Sequence, residues 1–182
     1  MIKKFINKLL GKSTPGTSGG KPHFGKREEV PASVHGINPE LVDRRAADVV
    51  ATLKQAGFEA YIVGGAVRDL LLGLRPKDFD VATNATPEQV KGLFRRAFII
   101  GKRFRIVHVV HGRGREHEVI EVSTFRAYLD NSAAGQVSGN EKTSKAQLSG
   151  MQHAVDASGR VLRDNVWGPQ DEDATRRDFT VN

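Results

Sequence analysis

Apolar positions first fall into a clear rhythm after Pro39. Val42, Ala46, Val49, Leu53 and Ala56 recur at helical spacing, Pro39 suits a first turn and Gly57 a helix end, which predicts a helix over about 39 to 56. Phe58 to Val63 is short, aromatic and β-branched and runs into Gly64-Gly65, so it reads as a strand ending in a tight turn. Ala66 to Leu72 makes a brief helix closed by Gly73, and Asp78 to Ala82 a second strand. Thr86-Pro87-Glu88 opens a third helix through Val90, Leu93, Phe94 and Ala97. Phe104 to His111 and His117 to Thr124 are β-like runs joined by Gly112-Arg113-Gly114-Arg115-Glu116, which predicts an antiparallel hairpin. The order is α-β-α-β-α followed by a hairpin, an α/β (α+β) fold on a mixed sheet. Leu129 to Met151 has few large apolar residues and much Ser, Ala, Gly, Gln and Asn, so it is expected to be a mobile excursion rather than packed structure.

The segment ahead of this pattern differs in kind. Thr14 to Phe24 is rich in Gly, Ser, Thr and Pro and cannot bury enough apolar surface to offset its ordering entropy, so it reads as a flexible linker. The chain thus divides into a tail, residues 1–30, and a folded part, residues 31–182, starting near Pro31. In the tail, Ile2, Phe5, Ile6, Leu9 and Leu10 make one face of a turn whose other positions include Lys3, Lys4, Lys8 and Lys12. A short basic amphipathic helix suits contact with a membrane surface through residues 1–12, or docking to a partner; a terminus helical by composition alone accounts for it equally well. Interrupting lysines and the lack of a cleavage site argue against a secretory signal. Gly11-Lys12-Ser13 resembles the end of a phosphate-binding loop, but Ile6 stands where that loop needs glycine.

Composition narrows the classes. With 182 residues, 38% hydrophobic and 27% charged, the chain supports one core. The absence of cysteine excludes disulfide scaffolds, thiol nucleophiles and thiolate zinc sites, and fits a cytoplasmic location. A net charge of +7 favours a polyanionic partner, nucleic acid or an anionic membrane surface. Seven of the Lys and Arg residues, against two Glu, fall in residues 1–35, so most of that excess belongs to the tail.

Candidate chemistry begins with Asp78 and Asp80. Two residues apart on a predicted strand, they project from one face, and two such carboxylates repel unless cations, such as a pair of Mg²⁺ ions, neutralise them. Alone, the pair reads as easily as a turn residue and a solvated strand start. The Gly64-Gly65 turn lies upstream at a strand-to-helix junction, where backbone N–H groups can hold phosphate, and Arg68 follows one helical turn later. Glu121 sits within Val119-Ile120-Glu121-Val122, where an unpaired charge is costly, so a metal or arginine partner is expected.

Four ordered blocks carry a resemblance: Gly64 to Gly73, Pro76-Lys77-Asp78-Phe79-Asp80, Glu121 to Arg126, and Arg176-Arg177-Asp178-Phe179-Thr180-Val181-Asn182. Together they resemble the head domain of the class II nucleotidyltransferases, the group containing bacterial poly(A) polymerases and tRNA CCA-adding enzymes. The resemblance implies a mixed-sheet head with helices on one side. It also implies two-metal transfer of a nucleoside monophosphate from a triphosphate to an RNA 3′-hydroxyl, with no role for DNA. Asp78 and Asp80 match its metal-binding aspartates, Glu121 its third catalytic carboxylate, and Gly64, Gly65 and Arg68 its triphosphate-binding block. Arg177, Asp178 and Asn182 match the block that contacts the incoming nucleotide. Two Mg²⁺ ions are expected, with Mn²⁺ an alternative, and Asp80 is the best placed to bridge them.

Ile99 to His108 is similar to the Gly-basic-Arg-Phe-basic-x-x-His segment of the poly(A) polymerases, which favours ATP and RNA polyadenylation over CCA addition. Lys102, Arg103 and Arg105 beside this β-run are candidate RNA-phosphate contacts, a solvated basic edge being the alternative. A rival of another class is a non-catalytic RNA- or membrane-binding module. His108 and His111 fall on opposite strand faces and share no metal; Trp167 reads as a packing anchor, and Asp171, Glu172 and Asp173 as helix-start chemistry. Because the last block ends at Asn182, the chain is expected to be a head lacking a downstream helical region and to have little activity alone.

Overall fold

The computed structural model describes residues 27–112, 117–127, 135–137, 153–156, 161–177, 179 and 181–182. The basic amphipathic segment, the linker, the hairpin turn at 113–116, most of the Ser- and Gly-rich stretch and Asp178 lie outside the described residues.

A short helix α1 (Ala32–His35) and a 3₁₀ turn (Pro39–Leu41) precede α2 (Arg44–Gln55). The predicted continuous helix over 39 to 56 is therefore broken. Asn38 caps the 3₁₀ turn, and Asp43, in extended conformation, accepts the Arg45 N–H at 2.7 Å and starts α2 afresh. Short polar side chains that capture nearby backbone N–H groups compete with helix continuation. β1 (Ala60–Val63) leads through Gly64 into α3 (Gly65–Leu71), and β2 (Asp80–Thr83) into α4 (Pro87–Leu93), which begins with a capping box between Thr86 and Gln89.

β3 (Ala97–Ile100), β4 (Ile106–His111) and β5 (Glu118–Thr124) complete the main sheet. The predicted third helix ran on through Ala97, but Phe94 is already extended and Ala97 opens a strand. The period misled because Ala97 and Ile99 face the core by alternation, and Ala97 also fits the helical spacing from Phe94. The sheet order is β1-β2-β5-β4-β3, with β2 and β5 parallel and the other pairs antiparallel, so the sheet is mixed as expected.

α2 and α4 cover one face of this sheet. Ala46, Val49 and Leu53 of α2 and Val90 of α4 pack with Val81, Val107, Val109, Ile120 and Val122, all buried. Thr83 and Thr124 share that face without cost, because Thr83 Oγ1 donates to the Glu59 carbonyl and Thr124 Oγ1 to that of Ala85. The alternate residues, among them Tyr61, Val63, Asp80, Glu121, Ser123, Ile106 and His108, point to the opposite face, helix-free in that neither α2 nor α4 packs on it.

Part of the stretch expected to be unpacked forms structure. β6 (Gly135–Val137), β7 (His153–Asp156) and β8 (Val161–Asp164) make a second sheet in that order. The chain then returns along β5's exit: the Ala127 N–H donates to the Val166 carbonyl, the Gly168 N–H to that of Phe125, and Arg126 bridges Trp167. A Cβ on Gly168 would stand 2.5 Å from the Ala127 Cα, so only glycine permits this approach. α5 (Gln170–Thr175) carries Asp171, Glu172 and Asp173 in its first turn. No helix among the described residues is long and apolar enough to cross a membrane.

Candidate active site

Asp80 and Glu121 are register partners on the parallel strands β2 and β5 and face the helix-free side together. Asp78 does not share that strand. β2 begins at Asp80, where pairing to Val63 and Glu121 starts, and Asp78 lies in the approach from Pro76, so strand alternation does not fix its direction. It stays near enough to act on Asp80 by charge. Partial burial raises the Asp80 carboxyl above its ordinary value, repulsion from Glu121 and Asp78 adds to that, and attraction from Arg177 opposes it. Although Asp80 is open to solvent at its edge, enough protein surrounds the carboxyl to desolvate it.

Gly64 lies immediately behind this carboxylate, with φ 75° and ψ −143°, and a Cβ there would meet Asp80 Oδ2 at 3.2 Å. Arg68, on α3, donates to Asn182 Oδ1, and its guanidinium lies 5.2 Å above the Phe179 ring. A Cβ on Gly65 would lie 3.6 Å from Arg68 Nη2. The fold thus brings Gly64, Gly65, Arg68 and Asn182 to one end of the sheet, beside Asp80.

A cavity of about 320 Å³ opens on the helix-free face. Val63, Asp80, Ile106, Glu121 and Ser123 form its sheet wall, and Arg126, Asp173, Arg176 and Arg177 the wall opposite. Asp173 organises that second wall, since its Oδ1 accepts the Arg126 N–H at 2.9 Å and its Oδ2 pairs with Arg177 at 3.1 Å. Arg176 pairs with Asp164, which is 1% exposed, and donates to the Ala127 carbonyl at 3.0 Å. Burial pulls the Arg126 guanidinium below its usual value, and its face lies 4.9 Å above the Phe104 ring. Carboxylates on one wall therefore confront three guanidinium groups on the other, which suits a polyanion held with hard cations.

Of the residues that the sequence singles out, Asp80, Glu121 and Arg177 line the cavity, while Gly64, Gly65, Arg68 and Asn182 gather beside it. Lys102, Arg103 and Arg105 do not line it. Arg105 pairs with Glu88 of α4, on the helix side, and holds that carboxyl below its usual value. Lys102 and Arg103 occupy the β3–β4 connection, whose backbone is tied to Asp164 and Asn165.

Four further residues emerge only from the structure. Asp173 is a cavity-lining carboxylate rather than helix-start chemistry alone, and Arg126 and Arg176 complete its wall. His108, which the sequence places on a strand without a metal to share with His111, pairs across β4 and β5 with Glu121, its Nε2 3.3 Å from Glu121 Oε1. Only the strand register could reveal that contact. Among the described residues no three His, Asp or Glu side chains converge into a ready-made metal cage. The Asp80 and Glu121 pair, register partners on one face with Asp78 nearby, still offers an oxygen donor set suited to Mg²⁺.

The domain is thus a mixed α/β head whose paired carboxylates face arginines across an open cavity. Comparison with known proteins makes the class specific. The family model described as the poly A polymerase head domain matches residues 60–182, and the chain belongs to that family. Poly(A) polymerase I of Salmonella typhi is 42% identical over 183 residues, covering 100% of this chain and 35% of its own length. The CCA-adding enzyme of Bacillus pumilus is 37% identical over 135 residues, 72% of this chain and 33% of that enzyme. A crystal structure of the Bacillus stearothermophilus CCA-adding enzyme in complex with CTP matches with 41% identity and a TM-score of 0.42, over 50% of this chain and 22% of that one. The chain spans about a third of the length of the curated relatives it matches.

Proposed function

We propose that this domain serves template-independent transfer of AMP from ATP to the 3′-hydroxyl of RNA, in the cytoplasm. The observation that carries the reading is the placement of Asp80 beside Glu121, facing Arg177 across one cavity, in a chain of the poly(A) polymerase head family. In the reaction the RNA 3′ oxygen attacks the α-phosphorus of ATP, the bond from that phosphorus to the β-bridging oxygen breaks, pyrophosphate leaves, and the hydroxyl proton passes to solvent.

Each residue then has a physical task. Arg68 and Arg177 attract and orient the triphosphate, and the Gly64-Gly65 turn lets it approach the backbone. Asp78, Asp80 and Glu121 would hold two divalent cations, Mg²⁺ or Mn²⁺. Bound there, the pair would supply Lewis-acid activation of the 3′-hydroxyl and positive charge opposite the leaving pyrophosphate. Asp173 keeps Arg177 pointed at the reacting phosphates. Most of the rate enhancement comes from alignment and preorganised charge.

Incubating the full-length protein with labelled RNA and each nucleoside triphosphate in turn tests this. Extension with ATP alone supports polyadenylation. Addition of CTP in preference to ATP would replace it with the CCA-adding reading, which the Bacillus relatives keep in view. Unchanged transfer by Asp80→Asn would transfer the weight to a non-catalytic RNA-binding role.

A further inference from the structure

The carboxylate pair belongs to a longer row. Across the sheet, Asp80 pairs with Glu121, Glu121 with His108, and His108 with Phe98, so four side chains stand in line on the helix-free face. The 3.3 Å contact between His108 and Glu121 confirms that they share this face, while Ala97 and Ile99 on either side of Phe98 turn toward the core. Phe98 is 53% exposed, and its neighbour Ile100, paired with cavity-lining Ile106, is 42% exposed. Other described aromatic rings are engaged: Phe79 and Phe125 are buried, Tyr61 stacks on Phe125, Phe104 lies under Arg126 and Phe179 under Arg68. Phe98 has no such partner among the described residues.

We infer that Phe98 is the stacking platform for a base at the 3′ end of the RNA. The inference rests on the nucleotidyl-transfer reading and adds where the acceptor strand lies. Strand spacing puts Phe98 roughly 10 Å from Glu121 along the row, a reach that the last one or two nucleotides of a strand cover when the 3′-hydroxyl sits at the carboxylates. An aromatic ring on an open sheet face is a recurrent solution for holding unpaired bases, because every base offers a π-face. The charge around it fits a nucleic acid rather than a polypeptide: exposed Lys102 and half-buried Arg103 occupy the β3–β4 connection, next to the Ile100 end of the patch. Arg105 turns away to Glu88, so the phosphate contacts on this path come from Lys102 and Arg103.

The test uses the full-length protein and a 5′-fluorescein oligoadenylate. Phe98→Ala should raise the KM for this RNA and its dissociation constant by anisotropy about five- to a hundredfold, leaving the KM for ATP and the melting temperature unchanged. Phe98→Trp should retain tight binding, and Phe98→Leu, apolar but unable to stack, should behave like Phe98→Ala. A 4-thiouridine at the RNA 3′ end should crosslink to the β3 peptide. The platform is overturned if Phe98→Ala leaves RNA binding unchanged. It is also overturned if Phe98→Leu matches wild type, or if Phe98→Ala lowers the melting temperature while Phe98→Leu does not, since both mark a polypeptide packing on the patch. Failure of wild type to transfer AMP would sink the function reading alone, because the anisotropy comparison still reads the platform.

Discussion

A Cβ on Gly64 would stand 3.2 Å from Asp80 Oδ2, so any side chain at the turn that ends β1 would press the carboxylate that begins β2 aside by a few tenths of an ångström. The backbone there has φ 75°, which side-chain-bearing residues rarely adopt. Gly64→Ala should cost about 1–3 kcal/mol in stability and reduce AMP transfer by shifting Asp80, by less than the roughly hundredfold that a 1 Å misplacement costs. Gly73 supplies the control, having φ 73° with nothing within 4 Å of its would-be Cβ. Gly73→Ala should show a similar stability loss in urea unfolding and retain transfer once folded. Equal loss of activity in both variants would mean that strain, not contact with Asp80, explains the effect.

Asp80 works against folding when it is ionised. Its carboxyl is raised in the folded state, by desolvation first and by Glu121 and Asp78 next, so the folded protein binds its proton more tightly than the unfolded chain. The resulting penalty is absent below the ordinary carboxylate value of 3.8 and grows as pH rises through the elevated folded value. In metal-free buffer at pH 7, Asp80→Asn should therefore melt higher than wild type, with the gap closing toward pH 4. Added Mg²⁺ should raise the wild-type melting temperature and have less effect on the variant. Identical melting curves at pH 7 with chelator would remove the charge conflict from the account.

Much of this site is visible in the order of residues along the chain, because local chemistry placed it. Gly64-Gly65 marks its own turn, Thr86-Pro87 its own helix start, and the two β-runs around Gly112 their own antiparallel pairing. What stayed hidden depends on register and on partners distant in sequence. His108 meets Glu121, and Phe98 meets His108, only through pairing across strands. Asp173 looks like a helix-start acid until the return of the chain beside Phe125 and Ala127 carries it to Arg126. Arg105 looks like its basic neighbours until the fold brings Glu88 of α4 beside it. The stretch from Leu129 to Met151 reads as an unpacked excursion on composition, yet its residues Gly135–Val137 form β6 and pair with β7, which starts beyond it.

Arg176 and Asp164 form the most deeply set ion pair in the cavity wall. Asp164 is 1% exposed, and Arg176 also holds the Ala127 carbonyl, so the pair fixes the exit of β8 to the exit of β5. Removing one partner leaves a desolvated charge behind. Arg176→Ala should cost about 3–5 kcal/mol, seen as a lower urea midpoint, whereas Arg176→Lys should recover part of that without restoring the two-pronged contact. A loss below about 1 kcal/mol would place the pair with exposed ones of little weight.

Asp43 offers a separate test of how the fold is assembled, remote from the cavity. Its Oδ1 accepts the Arg45 N–H at 2.7 Å and caps α2, and both its oxygens meet the Arg45 guanidinium, which also reaches Glu118 of β5. Hydrogen bonding to the Arg45 side chain, more than any other cause, lowers the carboxyl from 3.8 to about 2. A depressed carboxyl contributes stability above its unfolded value and loses it as pH falls through the folded one, so the relevant window is about pH 4 to 2. Asp43→Asn keeps a good cap but not the charge. It should flatten the acid limb of stability in that window and lower stability at pH 7 by the same amount, which stays small because the Arg45 side chain is over a third exposed and water screens the pair. Asp43→Ala removes the cap as well and should cost about 1 kcal/mol at pH 7. Urea unfolding of the three proteins at pH 7, 4 and 2.5 separates the two contributions. If Asp43→Asn matched Asp43→Ala at pH 7, the ion pair rather than the cap would be what starts α2.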